Sequence, residues 1–334
     1  MNIFITLDYE LFLGDVTGTP KNCLIRPMDA LCNSLEKYKI KFIIFVDAAY
    51  LLRMFQLKEM YLQVKRDYML VTNHVKHLSL LGHDIQLHFH PQWLYSSWAE
   101  EENIWQLDLD HYKLSDMNKD FAFNSFREAK SLLDNIIEKK TYAFRAGGYS
   151  LETFADYIEL LKINDICIDS SLSRGANIKS KQQEYDYRDI PEEIIYHFDN
   201  NIKEESQTGG FKELSISSCT WNPFFYFFVI RPKLLNYHPQ IIFKDGKGII
   251  SINEHNRYKK ISKLFQMKIF QACIDGAMSN VIDDVYQYAL KKKQENIVFI
   301  GHPKNFSDQS IRNLANFVNE RYDKNRFATT QNLR

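Results

Sequence analysis

No excess of charge of either sign runs through this 334-residue chain, in which 42 Lys and Arg balance 42 Asp and Glu. Without a long-range positive field, nucleic acid and anionic membrane surfaces are excluded as electrostatically steered partners. Cysteine is scarce and unpatterned: Cys23, Cys32, Cys167, Cys219 and Cys273 are odd in number and show no CxxC spacing, which excludes a disulfide framework or a thiolate metal knuckle. Gly (12) and Pro (8) are too few for a fibrous or low-complexity chain. Long apolar runs are missing too. The most apolar stretch, residues 224–230, falls far short of the roughly 20 residues that a helix needs to span a bilayer. The opening MNIFITLDYE lacks a basic region, an apolar stretch and a small-residue cleavage site, so no signal peptide is expected and a cytoplasmic location is.

What the chain does have is core-forming material, 45% hydrophobic and 14% aromatic. That content and the length fit one large α/β domain over 1–334, with an insertion at about 170–260 where regular alternation breaks down. Strands are expected at 2–7, 41–46, 83–88, 141–145, 165–169 and 296–301, with a short last strand near 326–330. Helices are expected near 27–38, 61–81, 118–139, 151–163 and 264–290, with a last one carrying Ile311, Leu314, Ala315 and Val318 on one face. Strict alternation implies parallel strands with helices outside, in a barrel or an open sheet. The barrel is favoured because Asp8, Asp47, His88, Arg145, Asp169 and His302 each stand at the C-terminal end of a predicted strand, where a barrel gathers its chemistry.

In HDIQLHFHPQW, His88 and His90 are two apart, so an extended backbone projects both imidazoles to one side, where they can grip one metal ion or bond to backbone as loop histidines. Asp8 and Glu10 in ITLDYELF share a face in the same way and offer two ligands, or a ligand and a base. His302 in FIGHPK follows the last strong strand, where an imidazole can donate a proton near neutral pH. Trp93, Tyr95, Trp98 and Trp105 in the loop after the histidines offer either aromatic faces for sugar rings or core packing.

These stretches, in this order, resemble the motifs of the polysaccharide deacetylase family, the NodB-like carbohydrate esterases, whose fold is a distorted, incomplete (β/α) barrel. TLDYE is similar to the family's T-F-D-D-G, GHDIQLHFH to its histidine motif, RAGGY to R-x-P-Y, and CIDSS and FIGHPK to the last two. The resemblance spans residue 3 to about 320, outside the insertion. It implies Asp8 as base, His88 and His90 as metal ligands, Arg145 orienting Asp8, Tyr149 supplying a backbone donor for the oxyanion, and Asp169 pairing with a general-acid His302. Tyr9 stands where the family has a ligand Asp, so the third ligand is expected from Glu10 or Asp47.

The resemblance further implies a carbohydrate N-deacetylase that uses a divalent ion, with zinc the best match to two imidazoles and a carboxylate. With no export signal in sight, the expected substrate is a nucleotide- or lipid-linked N-acetylated precursor in bacterial surface polysaccharide synthesis. A metal-independent, allantoinase-like amidohydrolase on the same fold and an inactive glycan-binding domain are the alternatives. The sequence says nothing about oligomeric state.

Overall fold

Asn2–Tyr9 forms β1, buried along nearly its whole length, as an unbroken apolar and β-branched run in a parallel sheet should be. The computed structural model describes residues 1–151, 154–180, 182–221, 240–248 and 268–334. After β1 come α1 (Arg26–Leu35), β2 (Ile43–Asp47), α2 (Ala48–Leu57), α3 (Leu62–Leu80) and β3 (Asp84–Phe89). The hairpin of β4 (Ser97–Ala99) and β5 (Ile104–Gln106) precedes α4 (Lys119–Ile137), β6 (Ala143–Ala146), α5 (Ile158–Ile163) and β7 (Ile168–Asp169). A second hairpin, β8 (Asn177–Lys179) with β9 (Glu184–Asp186), leads to β10 (Ile195–Phe198), β11 (Phe211–Leu214), β12 (Ser218–Trp221) and β13 (Lys268–Gln271). The chain ends with α6 (Ile282–Lys291), β14 (Asn296–Gly301), α7 (Asp308–Arg321) and β15 (Arg326–Ala328).

The main sheet runs β10-β11-β7-β6-β3-β2-β1-β14, parallel throughout except for β10 against β11. β1 serves two neighbours on one side: β15 pairs with Asn2–Phe4, and β2 pairs with Thr6–Tyr9. Between β11 and β14 the ring is closed by irregular backbone rather than a strand. Ser217 N–H donates to Val298 O at 3.1 Å, Ala272 N–H to Ser217 O at 2.8 Å, and Ile300 N–H to Ala272 O at 3.0 Å. The result is the distorted (β/α) barrel expected from the alternation. Residues read as an insertion return to it, since β11 pairs in parallel with β7.

Side chains sort by strand parity. Phe4, Ile43, Phe45, Ala143, Ile168, Leu214 and Val298 fill the barrel interior. Ile3, Ile5, Leu7, Ile44, Val46, Leu87 and Phe299 pack outward under the helices. The last residues on the interior register of β1, β2, β3 and β6 are Asp8, Asp47, His88 and Arg145, so parity itself delivers polar groups to one end.

The helix expected over 264–290 is corrected by the structure. Lys268–Gln271 is β13, antiparallel to β12, and the helix begins only at Ile282. Residues 272–274 are committed to closing the barrel, and Gly276 follows at φ +52°, a left-handed turn that no helix continues through. The aromatic run 224–230 lies outside the described residues. Among the described residues, no helix is long and apolar enough to cross a membrane.

Asp169 and Glu213 occupy paired positions on β7 and β11 and are fully buried together. Glu213 Oε2 meets no N–H or O–H donor, so it can bond the Asp169 carboxyl only when one of the two carries a proton. Burial, then the neighbouring carboxyl, holds Glu213 well above the usual range, and burial raises Asp169 to about 6. With folded pKa values above the unfolded ones, their contribution to stability is present at acid pH and lost as pH rises through 6 and beyond. Glu213→Gln supplies the missing donor permanently. It is expected to stabilise the protein at pH 8 by on the order of 1 kcal/mol and to flatten the decline of Tm between pH 5 and 8; melting curves that fall as steeply as the parent's would refute the shared proton.

Candidate functional site

Two chain segments converge at the C-terminal end of the barrel and bring three side chains together. Glu10 follows β1, His88 ends the interior register of β3, and His90 continues that register two residues on. Their ligating atoms all lie within 4.8 Å of one another and all three side chains are buried. Glu10 Oε2 is 2.5 Å from His90 Nε2 and 3.3 Å from His88 Nε2. Among the described residues this is the one group of three that could hold an ion.

The imidazoles are oriented from behind. His88 Nδ1 lies 2.8 Å from the Arg145 carbonyl, which only accepts, so Nδ1 is the N–H and Nε2 faces Glu10. His90 Nδ1 lies 3.3 Å from the Gln92 amide, whose Oε1 is otherwise buried without a partner. Turning that amide lets Oε1 accept from His90 Nδ1–H and satisfies both groups. Gly147 packs against the His90 ring: a Cβ there would lie 2.6 Å from His90 Nδ1 and from Phe89 O, so the loop after β6 needs glycine to approach this closely. Burial alone would lower the His88 pKa, but Glu10, Asp8 and Asp47 outweigh it and raise it to about 9. An ion entering the site must displace that proton. Burial works against Glu10 as well, yet Lys304 and His90 hold its carboxyl well below the usual range.

Asp8 stands beside the group without joining it. Its Oδ1 accepts from Arg145 Nη1 at 2.5 Å, and its Oδ2 lies 3.7 Å from His302 Nε2. Arg145 is fully buried and fixed on every side, by Ser170 O (2.7 Å), Thr6 Oγ1 (3.0 Å), Ser170 Oγ (2.9 Å) and the face of Phe45 at 4.2 Å. His302 Nδ1–H donates to Asp275 Oδ2 at 2.7 Å, and the His302 backbone N–H donates to the same oxygen at 2.6 Å. Burial opposes the imidazolium, but Asp275, with Asp8 and Glu10 behind it, outweighs that and raises the His302 pKa.

A cavity of about 460 Å³ joins these groups, lined by Asp8, Glu10, His88, His90, Tyr149, His302 and Lys304, with Phe12 and Tyr112 as its other aromatic walls. Tyr149 sits at φ +60° on the tight turn of Gly147–Tyr149, held by Tyr187 Oη–H donating to its carbonyl at 2.6 Å.

Some expectations are corrected here. Asp169 does not pair with His302. Ile168 points into the barrel, so Asp169 points out, where it binds Ser171 N–H (2.8 Å) and Oγ (2.9 Å) while Ser171 Oγ accepts from Ala146 N–H at 2.8 Å, bracing the loop after Arg145. Asp47 is not in the ligand group either. Its Oδ1 caps α2 through Tyr50 N–H and accepts from His90 N–H, and burial raises its pKa. Tyr9 points outward to His74 at 2.7 Å, which leaves Glu10 as the third candidate ligand beside His88 and His90. Trp93, Trp98 and Trp105 are core, with Trp105 centred 5.5 Å and 5.3 Å from the other two, and Tyr95 stacks on His111. Asp275 and Lys304 are the site residues that the sequence reading missed. A repeated Cys-Ile-Asp, at 167–169 and 273–275, marks the first, and the lysine two places after His302 marks the second.

No family model and no curated protein matches the chain. Among solved structures, a candidate polysaccharide deacetylase from Mycobacterium smegmatis superimposes with a TM-score of 0.51 at 12% identity, over 99% of this chain and 88% of that one. The chain therefore has the fold of that structure, a polysaccharide-deacetylase barrel. A 4-alpha-glucanotransferase from Thermococcus litoralis (TM-score 0.48, 12% identity, 99% and 38% covered) and a polysaccharide deacetylase from Bacillus cereus (0.37, 13%, 98% and 90%) superimpose more loosely.

Proposed function

We propose that this chain is a metal-dependent hydrolase that removes acetyl from an N-acetylated sugar. The observation that carries the reading is the meeting of Glu10, His88 and His90 with Asp8 and His302 in one cavity. The donor set, two imidazoles and one carboxylate with their outer atoms already oriented, suits a divalent ion, with zinc the first choice. Bound there, the ion would supply a Lewis acid for the acetamide carbonyl.

The chain's own residues do the rest. Asp8, held by Arg145, takes the proton of the attacking water at Oδ2, the oxygen that faces the cavity. The loop at Tyr149 offers a backbone N–H to the oxygen that gains charge. His302, whose imidazolium form Asp275 favours, delivers its proton to the departing nitrogen. Water adds to the carbonyl carbon, the C–N bond breaks, and acetate and an amino sugar leave. Phe12, Tyr112 and Tyr149 give the sugar apolar faces to lie against. The fitting substrate is a nucleotide- or lipid-linked precursor of surface polysaccharide, handled in the cytoplasm by one domain spanning the chain.

A metal-independent amidohydrolase is the second reading, favoured by the way Lys304, His88 and His90 already balance Glu10. Acetate release from a panel of N-acetylated nucleotide sugars and oligosaccharides, with and without chelator, separates the two. The expected result is release from at least one substrate, lost in chelator and restored by zinc. Release that chelator leaves untouched selects the second reading, and binding without release from any substrate overturns both.

A further inference from the structure

Lys304 stands on the short turn Pro303–Asn305 directly after His302, and Glu10 follows the neighbouring strand β1, so the pairing of β1 with β14 brings them together. Its Nζ donates to Glu10 Oε1 at 2.8 Å and to Leu11 O at 2.9 Å. The ammonium also lies 5.2 Å from the centre of the Phe12 ring, and both members of the ion pair are buried. Glu10 thus divides its two oxygens: Oε1 belongs to Lys304, and Oε2 faces the two imidazoles.

We propose that Lys304 is a built-in competitor for the ion, a positioning residue that keeps the ligand group assembled without a metal and makes a divalent ion bind less tightly than the three ligands alone would allow. This inference rests on the metal reading of Glu10, His88 and His90. Two cations share one carboxylate. A fixed ammonium on Oε1 withdraws charge from Oε2 and repels a second cation at close range among buried side chains, where such repulsion is screened less than in bulk water. Lys304 also donates to the Leu11 carbonyl, a second bond that favours keeping its ammonium beside Oε1 when an ion arrives. Each cation therefore weakens the other's hold on Glu10, and that coupling is reciprocal. One consequence is a site that does not collapse when stripped, since Glu10 is never buried unpaired. The other is an ion that exchanges readily with its surroundings.

The test measures zinc affinity of the full chain by competition with a chromophoric chelator, for the parent protein and for Lys304→Gln, Lys304→Met and Lys304→Arg. Removing the charge is expected to tighten zinc binding about tenfold or more, while the arginine variant stays near the parent. In chelator, Lys304→Met is expected to melt lower than the parent and to recover more on zinc addition. Should the methionine variant not fold, Lys304→Gln, which keeps a donor for Leu11 O, decides the matter. Zinc affinity unchanged or weaker in Lys304→Gln overturns the proposal while leaving the metal reading intact. Zinc binding that Glu10→Gln does not diminish removes the metal reading itself, and this inference with it.

Discussion

Asp8→Asn is expected to leave a divalent ion bound while lowering amide hydrolysis by about 10²- to 10⁴-fold, the usual contribution of a positioned general base. The geometry separates the two carboxylates that the sequence places side by side. Glu10 Oε2 faces both imidazoles, whereas Asp8 gives one oxygen to Arg145 and turns the other toward His302 and the cavity. An asparagine fills the same space but cannot take up a proton. It also leaves Arg145 without its counter-charge, so the variant should melt below the parent. The decisive comparison is metal content against turnover: Glu10→Gln should lose both, and Asp8→Asn only turnover. Loss of the ion from the Asp8 variant would make Asp8 a ligand and reverse the two roles.

Arg145→Met is the second large effect, a destabilisation of about 3–5 kcal/mol from stranding a buried carboxylate and several buried acceptors. The guanidinium is completely buried and serves Asp8, Thr6 and Ser170 together while covering Phe45, a geometry that a flexible hydrocarbon cannot reproduce. Because much of that loss is the unpaired Asp8 charge, adding Asp8→Asn to Arg145→Met should cost far less than the two single changes summed. Urea unfolding of the four proteins measures this directly. Strict additivity would mean that the pair is not coupled and that Arg145 does not hold the base.

Much of the site was legible because it obeys strand parity. Phe4, Thr6 and Asp8 alternate with Ile5, Leu7 and Tyr9, so the sequence alone puts Asp8 and Glu10 on one face and turns Tyr9 away; the same period puts His88 and His90 together. The end of a strand does not say which way a residue points. Asp169 follows the inward Ile168 and therefore faces the helices, where it braces Ser171 instead of reaching His302. Asp275 was hidden for another reason. It lies on the irregular segment that closes the barrel, a join made by single backbone bonds with no periodicity to read. The tryptophans after His90 satisfy the pattern of a sugar platform equally well as a core, and only packing decides for the core. Lys304 needed the pairing of β1 with β14, which joins residues nearly three hundred positions apart.

Anomalous diffraction at the zinc edge, from crystals of the parent protein equilibrated with zinc, tests the central arrangement most directly. The account predicts one peak between Glu10 Oε2 and the Nε2 atoms of His88 and His90, with Lys304 still on Glu10 Oε1. A peak on other side chains, or none with zinc in excess, would contradict it.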